Sequence, residues 1–94
     1  MSDTSPMTRE ADQAVRVRLW AGARAAAGTD EVRLADLTLP SALSAVLGHL
    51  TAQVPALSAI VQVSTVLRDG HACGPTDLVR AGDLLEVLPP FAGG

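Results

Sequence analysis

The residues with the clearest chemical potential are Gly93 and Gly94, which follow Pro-Pro-Phe-Ala at the C-terminal end of the sequence. Glycine is used where the backbone takes a left-handed conformation or where another molecule must approach it closely. A chain end needs no turn, so close approach is the functional reason that remains. Without Cβ atoms, both residues can pass through a narrow channel and present the terminal carboxylate to the active site of another protein.

The residues before this pair support such a role. Pro89 and Pro90 lack a backbone N–H group, so they end the preceding strand and stiffen the exit of the tail. The four residues beyond Pro90 reach at most ~13–14 Å when fully extended, which is enough to enter a partner's pocket. The alternative is a terminus without function, since chain ends are often disordered.

The composition predicts one small domain with an aliphatic core. The chain has 94 residues, a net charge of −3 and two aromatic residues, Trp20 and Phe91. Its seven basic residues are all arginines, so it offers no side-chain amine for acylation. An acidic chain is a poor ligand for nucleic acids, whose phosphates require clustered positive charge. We therefore expect no nucleic-acid partner.

Cysteine content and hydropathy bear on localisation. Cys73 is the only cysteine in the sequence, so no intramolecular disulfide can form. No apolar run approaches the ~18 residues of a membrane span, and the N-terminus lacks the residue order of a signal peptide. We expect a cytoplasmic protein without a membrane partner. Residues 1–13 are polar, lack a hydrophobic period and are predicted to form a disordered extension.

The first part of the chain shows two strand patterns around a short helix. Residues 15–20 alternate between apolar and charged side chains, which is typical of a half-buried strand, with Trp20 on the charged face or at the strand's end. Residues 21–28 predict a short helix capped by Gly28. Residues 31–34 predict a second strand.

The main helix is predicted to start at Pro40-Ser41 and to stop at Pro55. Either Ser41 caps it or Pro40 occupies its first position. Gly48 lies inside this helix and costs about 1 kcal/mol relative to alanine, unless it permits close packing. The apolar side chains fall at helical spacing and form one stripe: Leu43, Val46, Leu47, Leu50 and Val54.

The rest of the chain is predicted to consist of strands. Residues 60–68 are predicted to form the third strand, with Val61, Val63 and Leu67 on one face. Val66 joins the opposite, polar face. Two further strands follow at residues 71–73, after a tight turn, and at residues 84–88. This order predicts an α+β fold over residues 14–90, a mixed sheet of about five strands packed on one main helix.

Three stretches resemble the ubiquitin-like β-grasp sulfur carriers, most closely the small subunits of molybdopterin synthases. They are residues 19–30 (LWAGARAAAGTD), 80–86 (RAGDLLE) and 88–94 (LPPFAGG), of which the last is the most specific. The resemblance covers about residues 15–94 and implies the β-grasp fold. The turn at residues 68–70 departs from the family, in which an Asn-containing turn is common.

The resemblance implies a carrier on which other proteins act. An E1-like adenylyltransferase, with ATP and Mg²⁺ on that partner, would convert the Gly94 carboxylate to an acyl-adenylate. A sulfur donor protein would then supply the sulfur of a thiocarboxylate, and Gly93 would let the flexible tail of residues 91–94 pass. The large subunit of the synthase, in a heterotetramer with the carrier, would hold the pterin precursor that receives this sulfur. No cofactor or metal is expected on this chain itself.

Strand parity predicts where partners bind. With Leu85 and Val87 turned to the core, Leu88 faces outward, and Trp20 lies near it if the first and last strands are parallel neighbours, as in the family. An exposed aromatic side chain beside an exposed leucine is typical of a protein interface. The alternative is that Trp20 only covers the sheet edge. The family's partner-contacting positions match Trp20, Ala72 and Leu88, followed by the tail residues Pro89, Pro90, Phe91 and Ala92.

Other chemistry-bearing residues have simpler interpretations. His49, His71 and Cys73 lack the spacing of metal ligands, and a small buried or edge cysteine is the simplest role for Cys73. The glycines at positions 22 and 28 form no phosphate-binding loop, because no Gly-Lys-Ser/Thr follows. Two other functions stay open: a sulfur carrier for thiamine or cysteine biosynthesis, and a non-catalytic ubiquitin-like interaction module with an inert Gly-Gly. Thiamine carriers typically lack the Pro-Pro before the tail.

Overall fold

The structure, a computed structural model, describes residues 14–90. The expected N-terminal extension (residues 1–13) and the tail (residues 91–94) lie outside the described residues, so both remain predictions. The elements in chain order are β1 (Val15–Leu19), α1 (Ala21–Ala27), β2 (Glu31–Leu34), β3 (Ser41–Ala42), α2 (Leu43–Gln53), a 3-10 turn (Pro55–Leu57), α3 (Ser58–Val63), β4 (Thr65–Arg68), β5 (His71–Ala72), β6 (Leu78–Val79) and β7 (Leu84–Leu88).

The strands form a five-stranded mixed sheet with the order β2-β1-β7-β4-β5, and β3 and β6 form a separate two-stranded sheet. The first and last strands, β1 and β7, are parallel neighbours at the centre of the larger sheet. The other strand pairs in this sheet are antiparallel. The predicted α+β fold is therefore confirmed, including the central parallel pair.

One face of the sheet packs against the helices, and we call the opposite face the outer face. Alternation in β1 and β7 turns every second side chain inward. Helix α2 adds Leu43, Val46 and Leu50 to the core, as its apolar stripe predicted. Within the described part of the chain, the buried side chains are all apolar, so burial of aliphatic side chains dominates the stability of the fold.

The prediction of a strand over residues 60–68 is wrong in its first half. Residues 58–63 form α3, from which Val61 is buried, whereas Val63 is 65% exposed. A short apolar run fits the helical and the strand period equally well, so periodicity did not distinguish them. Ser64 follows the helix end, and its hydroxyl donates to the Ile60 carbonyl at 2.7 Å.

The prediction of which side chains of β4 face the core is also wrong. Because the strand begins at Thr65, its alternation starts anew after the helix. Val66 pairs with Val87 and is buried in the core. Leu67 pairs with Glu86 and faces outward.

The main helix begins later than predicted, at Leu43. Ser41 and Ala42 are extended and pair with β6, so neither Ser41 nor Pro40 starts or caps the helix. Instead, the backbone N–H groups of Leu43 and Ser44 donate to the carbonyls of a later loop, Asp77 at 2.9 Å and Pro75 at 3.0 Å. These bonds satisfy two of the N–H groups that a helix start leaves without partners. A cap made by distant backbone has no local sequence pattern.

The predicted turns are confirmed. Asp69 and Gly70 both have positive φ values, 52° and 82°, as a two-residue hairpin turn between β4 and β5 requires. Gly28 has a φ of 75° and caps α1, with its N–H donating to the Arg24 carbonyl. The departure from the family's Asn-containing turn therefore leaves the hairpin intact.

Candidate functional site

The candidate site starts where β7 ends. This strand lies between β1 and β4, with Leu85 and Val87 fully buried. Leu84, Glu86 and Leu88 are half-buried on the outer face, so the predicted parity of β7 is confirmed. The strand therefore fixes the base of the tail in the middle of the sheet.

Trp20 lies beside Leu88, as predicted. Its backbone N–H donates to the Val87 carbonyl at 3.2 Å, directly after the pairing of Leu19 with Val87. Its own carbonyl accepts from Ala23 at 3.0 Å, which starts α1. Trp20 is thus held between the end of a strand and the start of a helix, and 41% of it stays exposed.

Two residues extend this apolar area across the sheet. Leu67 of β4 pairs with Ala72 of β5 on one side and with Glu86 of β7 on the other. Leu88 is two positions beyond Glu86 on the same face, so it is a diagonal neighbour of Leu67. We call Trp20, Leu67, Ala72 and Leu88 the tail-side cluster.

Sequence reasoning missed Leu67, because the apolar run from residue 60 was assigned to one continuous strand. The feature that could have revealed it is the end of the helix before Ser64. Because the strand begins at Thr65, Leu67 lies on the outer face and Val66 on the core face. Ala72, by contrast, is exposed on the edge strand β5, at the position that the resemblance implied.

The outer face also carries charged side chains on β1 and β2, with Leu84 of β7 beside them. Arg18 lies between Glu31 of β2 and Glu86 of β7, and its guanidinium is 3.7 Å from the Glu31 carboxylate. One row farther from the tail, Arg16 lies directly opposite Arg33. Along β1, the outer face thus changes from apolar at the tail end to basic at the other end.

The chain leaves the sheet through two prolines. Pro89 is half-buried and Pro90 is exposed. Phe91, Ala92 and the two glycines predicted to carry the chemistry lie outside the described residues. Their roles remain predictions.

The histidines and the cysteine are not gathered into a site. His49 is exposed on α2, and His71 is exposed on β5 with its Nδ1 atom 3.0 Å from the Asp69 carbonyl. Burial, and next the carboxylate of Asp77, raise the pKa of the Cys73 thiol above its ordinary value. Such a thiol is a poor nucleophile near neutral pH, because the thiolate is the reactive form.

Residues 14–90 can also be compared with the requirements of a metal site and of a membrane span. Within this range, no group of three or more His, Cys, Asp or Glu side chains is arranged to hold a metal ion. None of the helices described for this range is both long enough and apolar enough to cross a bilayer.

Solved structures with this fold include proteins from archaea and bacteria. SAMP1 from Haloferax volcanii is 29% identical, with a TM-score of 0.79 over 86% of this chain and 99% of that chain. A putative molybdopterin converting factor, subunit 1, from Pyrococcus furiosus is 19% identical, with a TM-score of 0.72 over 82% and 97% of the two chains. In a complex of subunits 1 and 2 of the Helicobacter pylori molybdopterin-converting factor, one chain is 17% identical, with a TM-score of 0.59 over 86% and 99% of the two chains. At 19% and 17% identity, the similarities to the Pyrococcus furiosus and Helicobacter pylori proteins show a shared fold only.

At the level of sequence, no curated protein matches the chain. A family model does match it: the ThiS family, over residues 17–94. This match runs from β1 through the central strand β7 and includes the Gly-Gly tail. The chain belongs to the ThiS family of ubiquitin-like sulfur carriers.

Proposed function

We propose that this protein is the sulfur-carrier subunit of a molybdopterin synthase. The observation that carries this proposal is the position of the tail-side cluster beside the end of β7. An exposed tryptophan next to leucines is the kind of surface that forms the centre of a protein interface. A partner bound there would hold the base of the tail and receive the following residues in its active site.

The proposed chemistry takes place at the Gly94 carboxyl group. An E1-like adenylyltransferase, which binds ATP and Mg²⁺, joins a carboxylate oxygen to the α-phosphorus of ATP and releases pyrophosphate. This step is needed because a carboxylate is a poor electrophile, whereas its mixed anhydride with AMP has a good leaving group. Sulfur at the oxidation level of sulfide, supplied by a donor protein, then attacks the carboxyl carbon, and the bond to AMP breaks, which releases AMP and leaves a thiocarboxylate. We assign these steps to the cytoplasm.

The large subunit is the proposed receiver of the sulfur. It would bind Trp20, Ala72 and Leu88 on the outer face and enclose residues 89–92, with two copies of each subunit in a heterotetramer. Gly93 would pass through the narrowest part of its channel. The complex of subunits 1 and 2 in Helicobacter pylori supports this pairing by analogy of fold.

A second candidate is a protein modifier. The identity of 29% to SAMP1, the small archaeal modifier protein 1 of Haloferax volcanii, favours this function. In that function the activated Gly94 carboxyl group would be joined to another protein. Carriers for thiamine or cysteine biosynthesis share the activation steps and differ in the receiver of the sulfur.

Reconstitution tests the proposal directly. The activating enzyme, a sulfur source, the pterin precursor and the large subunit are combined with the carrier, and molybdopterin is measured. Deletion of Gly94 shortens the tail by roughly 3.3–3.6 Å. Because a misplacement of about 1 Å can cost 100-fold in rate, we expect product formation to fall at least 100-fold.

Gly93→Ala and Gly93→Val form a graded series of equal tail length. A β-branched side chain restricts the backbone and widens the tail, so Val should impair transfer more than Ala. Thermal stability should be unchanged in all three variants, because these residues follow the last strand. Normal molybdopterin formation by the Gly94 deletion would refute the carrier function. Covalent conjugates in the native host, with no thiocarboxylate in the intact mass, would favour the modifier.

A further inference from the structure

The basic end of the outer face has an unusual charge arrangement. Arg16 of β1 and Arg33 of β2 are exposed and directly opposite each other. Side chains at such positions have Cβ atoms about 4.5–5.5 Å apart. Within residues 14–90, neither guanidinium forms an ion pair, whereas Arg18 in the next row has Glu31.

This arrangement weakens the isolated domain. Like charges directly opposite each other on neighbouring strands are destabilising, whereas opposite charges at the same positions stabilise a sheet. The chain carries ten acidic residues and a net charge of −3, so acidic side chains are not scarce. Two arginines therefore concentrate positive charge on one end of one face of an otherwise acidic molecule.

We propose that Arg16 and Arg33 form a second docking point, which binds an acidic segment of the partner that receives the tail. This inference rests on the proposed function, because it assigns the partner to the same outer face. Arg16 and Trp20 lie at opposite ends of β1, about 13 Å apart along the strand at roughly 3.3 Å per residue. Contacts at both ends would fix the rotation of the carrier on its partner and so aim the tail at the channel.

The expected contribution is to the rate and orientation of binding. Charges outside the apolar centre of an interface steer the encounter and mainly change the association rate, which then depends on salt. The apolar contacts of Trp20 and Leu88 mainly set the lifetime of the complex. The two contributions can therefore be separated by kinetics.

The decisive variant is Arg33→Glu, measured by stopped-flow binding to the purified cognate large subunit at low and physiological ionic strength. We expect the association rate at low salt to fall about tenfold and its salt dependence to flatten. The same variant should raise the Tm by about 1–8 °C, because it places opposite charges across the strand pair. A gain in stability with a loss of binding is not expected of a residue with only a structural role.

Two controls make the result specific. Arg80→Glu makes the same change in net charge in the turn before β7, outside the five-stranded sheet, and should change the association rate less than threefold. Leu88→Asp should abolish binding through the tail-side cluster and so tests the proposed function separately. If Leu88→Asp abolishes binding while Arg33→Glu binds at the wild-type rate at both salt concentrations, the second docking point is refuted and the proposed function stands.

The alternative is that the chain's own N-terminal segment binds Arg16 and Arg33. Residues 1–13 precede β1 at the basic end and include Asp3, Glu10 and Asp12. The kinetics are therefore repeated with a chain that begins at residue 14. A persistent effect of Arg33→Glu supports the partner, whereas its disappearance would assign the basic end to residues 1–13 and overturn the proposal.

Discussion

Replacing Gly48 by alanine is expected to stabilise the protein. Gly48 lies in the interior of α2, and an added Cβ atom would meet nothing within 4 Å, so the glycine is not required for packing within residues 14–90. Glycine in a helix interior is about 0.8–1.0 kcal/mol less favourable than alanine. Removing this cost raises the Tm by about 4–8 °C in a domain of this size.

Gly28→Ala is the matched control. Its added Cβ atom also has nothing within 4 Å, but its φ of 75° lies in the left-handed region. Alanine there costs about 1–2 kcal/mol, so the Tm should fall by a comparable or larger amount. The two variants have the same chemical change and differ in backbone conformation alone.

Thermal unfolding followed by circular dichroism measures both changes against the wild-type chain. A lower Tm for Gly48→Ala would refute the reasoning, because neither sterics nor helix propensity would explain it. A higher Tm together with lost molybdopterin formation would show that the glycine serves a contact outside the chain. Gly48 lines a shallow groove between α2 and α3, where such a contact would fall.

Three further predictions concern binding, pH and the N-terminal segment. Leu88→Asp should keep the circular dichroism spectrum of the folded chain and lose co-purification with the large subunit; an unfolded spectrum would instead make Leu88 part of the core. The free energy of unfolding should fall as the pH rises above about 8.5, because the raised pKa of Cys73 lets the folded chain keep a proton that the unfolded chain releases. The sequence has no tyrosine or lysine, so urea unfolding at pH 7.5 and 9.5 should show this fall in the wild-type chain and not in Cys73→Ser. Deleting residues 1–13 should leave the Tm and thiocarboxylate formation, read from the intact mass, nearly unchanged; a large fall in Tm would mean that this segment packs on the domain.

The parts of the fold that the sequence predicted are those with a strict local pattern. In β1, alternation of apolar and charged residues over five positions is enough to fix which side chains face the core, and in β7 the single charged residue, Glu86, indicates the outward positions. The turns at Asp69-Gly70 and Gly28 depend on backbone conformations that few residues adopt. The placement of Trp20 near Leu88 also needed the resemblance, which implied that the first and last strands are parallel neighbours.

The errors have non-local causes. The start of α2 is set by the pairing of β3 with β6 and by loop carbonyls more than thirty residues later in the chain. The apolar run after Pro55 forms a helix because it packs on the core there, although its spacing also fits a strand. Leu67 was missed for the same reason, since its face depends on where that helix ends.

The central position of β7 has a mechanical consequence for any partner that grips the tail. A pull on the tail is directed along β7, whose hydrogen bonds to β1 and β4 run across that direction on both sides. These bonds share the load and must shear together, whereas bonds at the end of an edge strand would open one after another. A partner can therefore hold the tail under tension, and withdraw from it, without peeling the sheet apart.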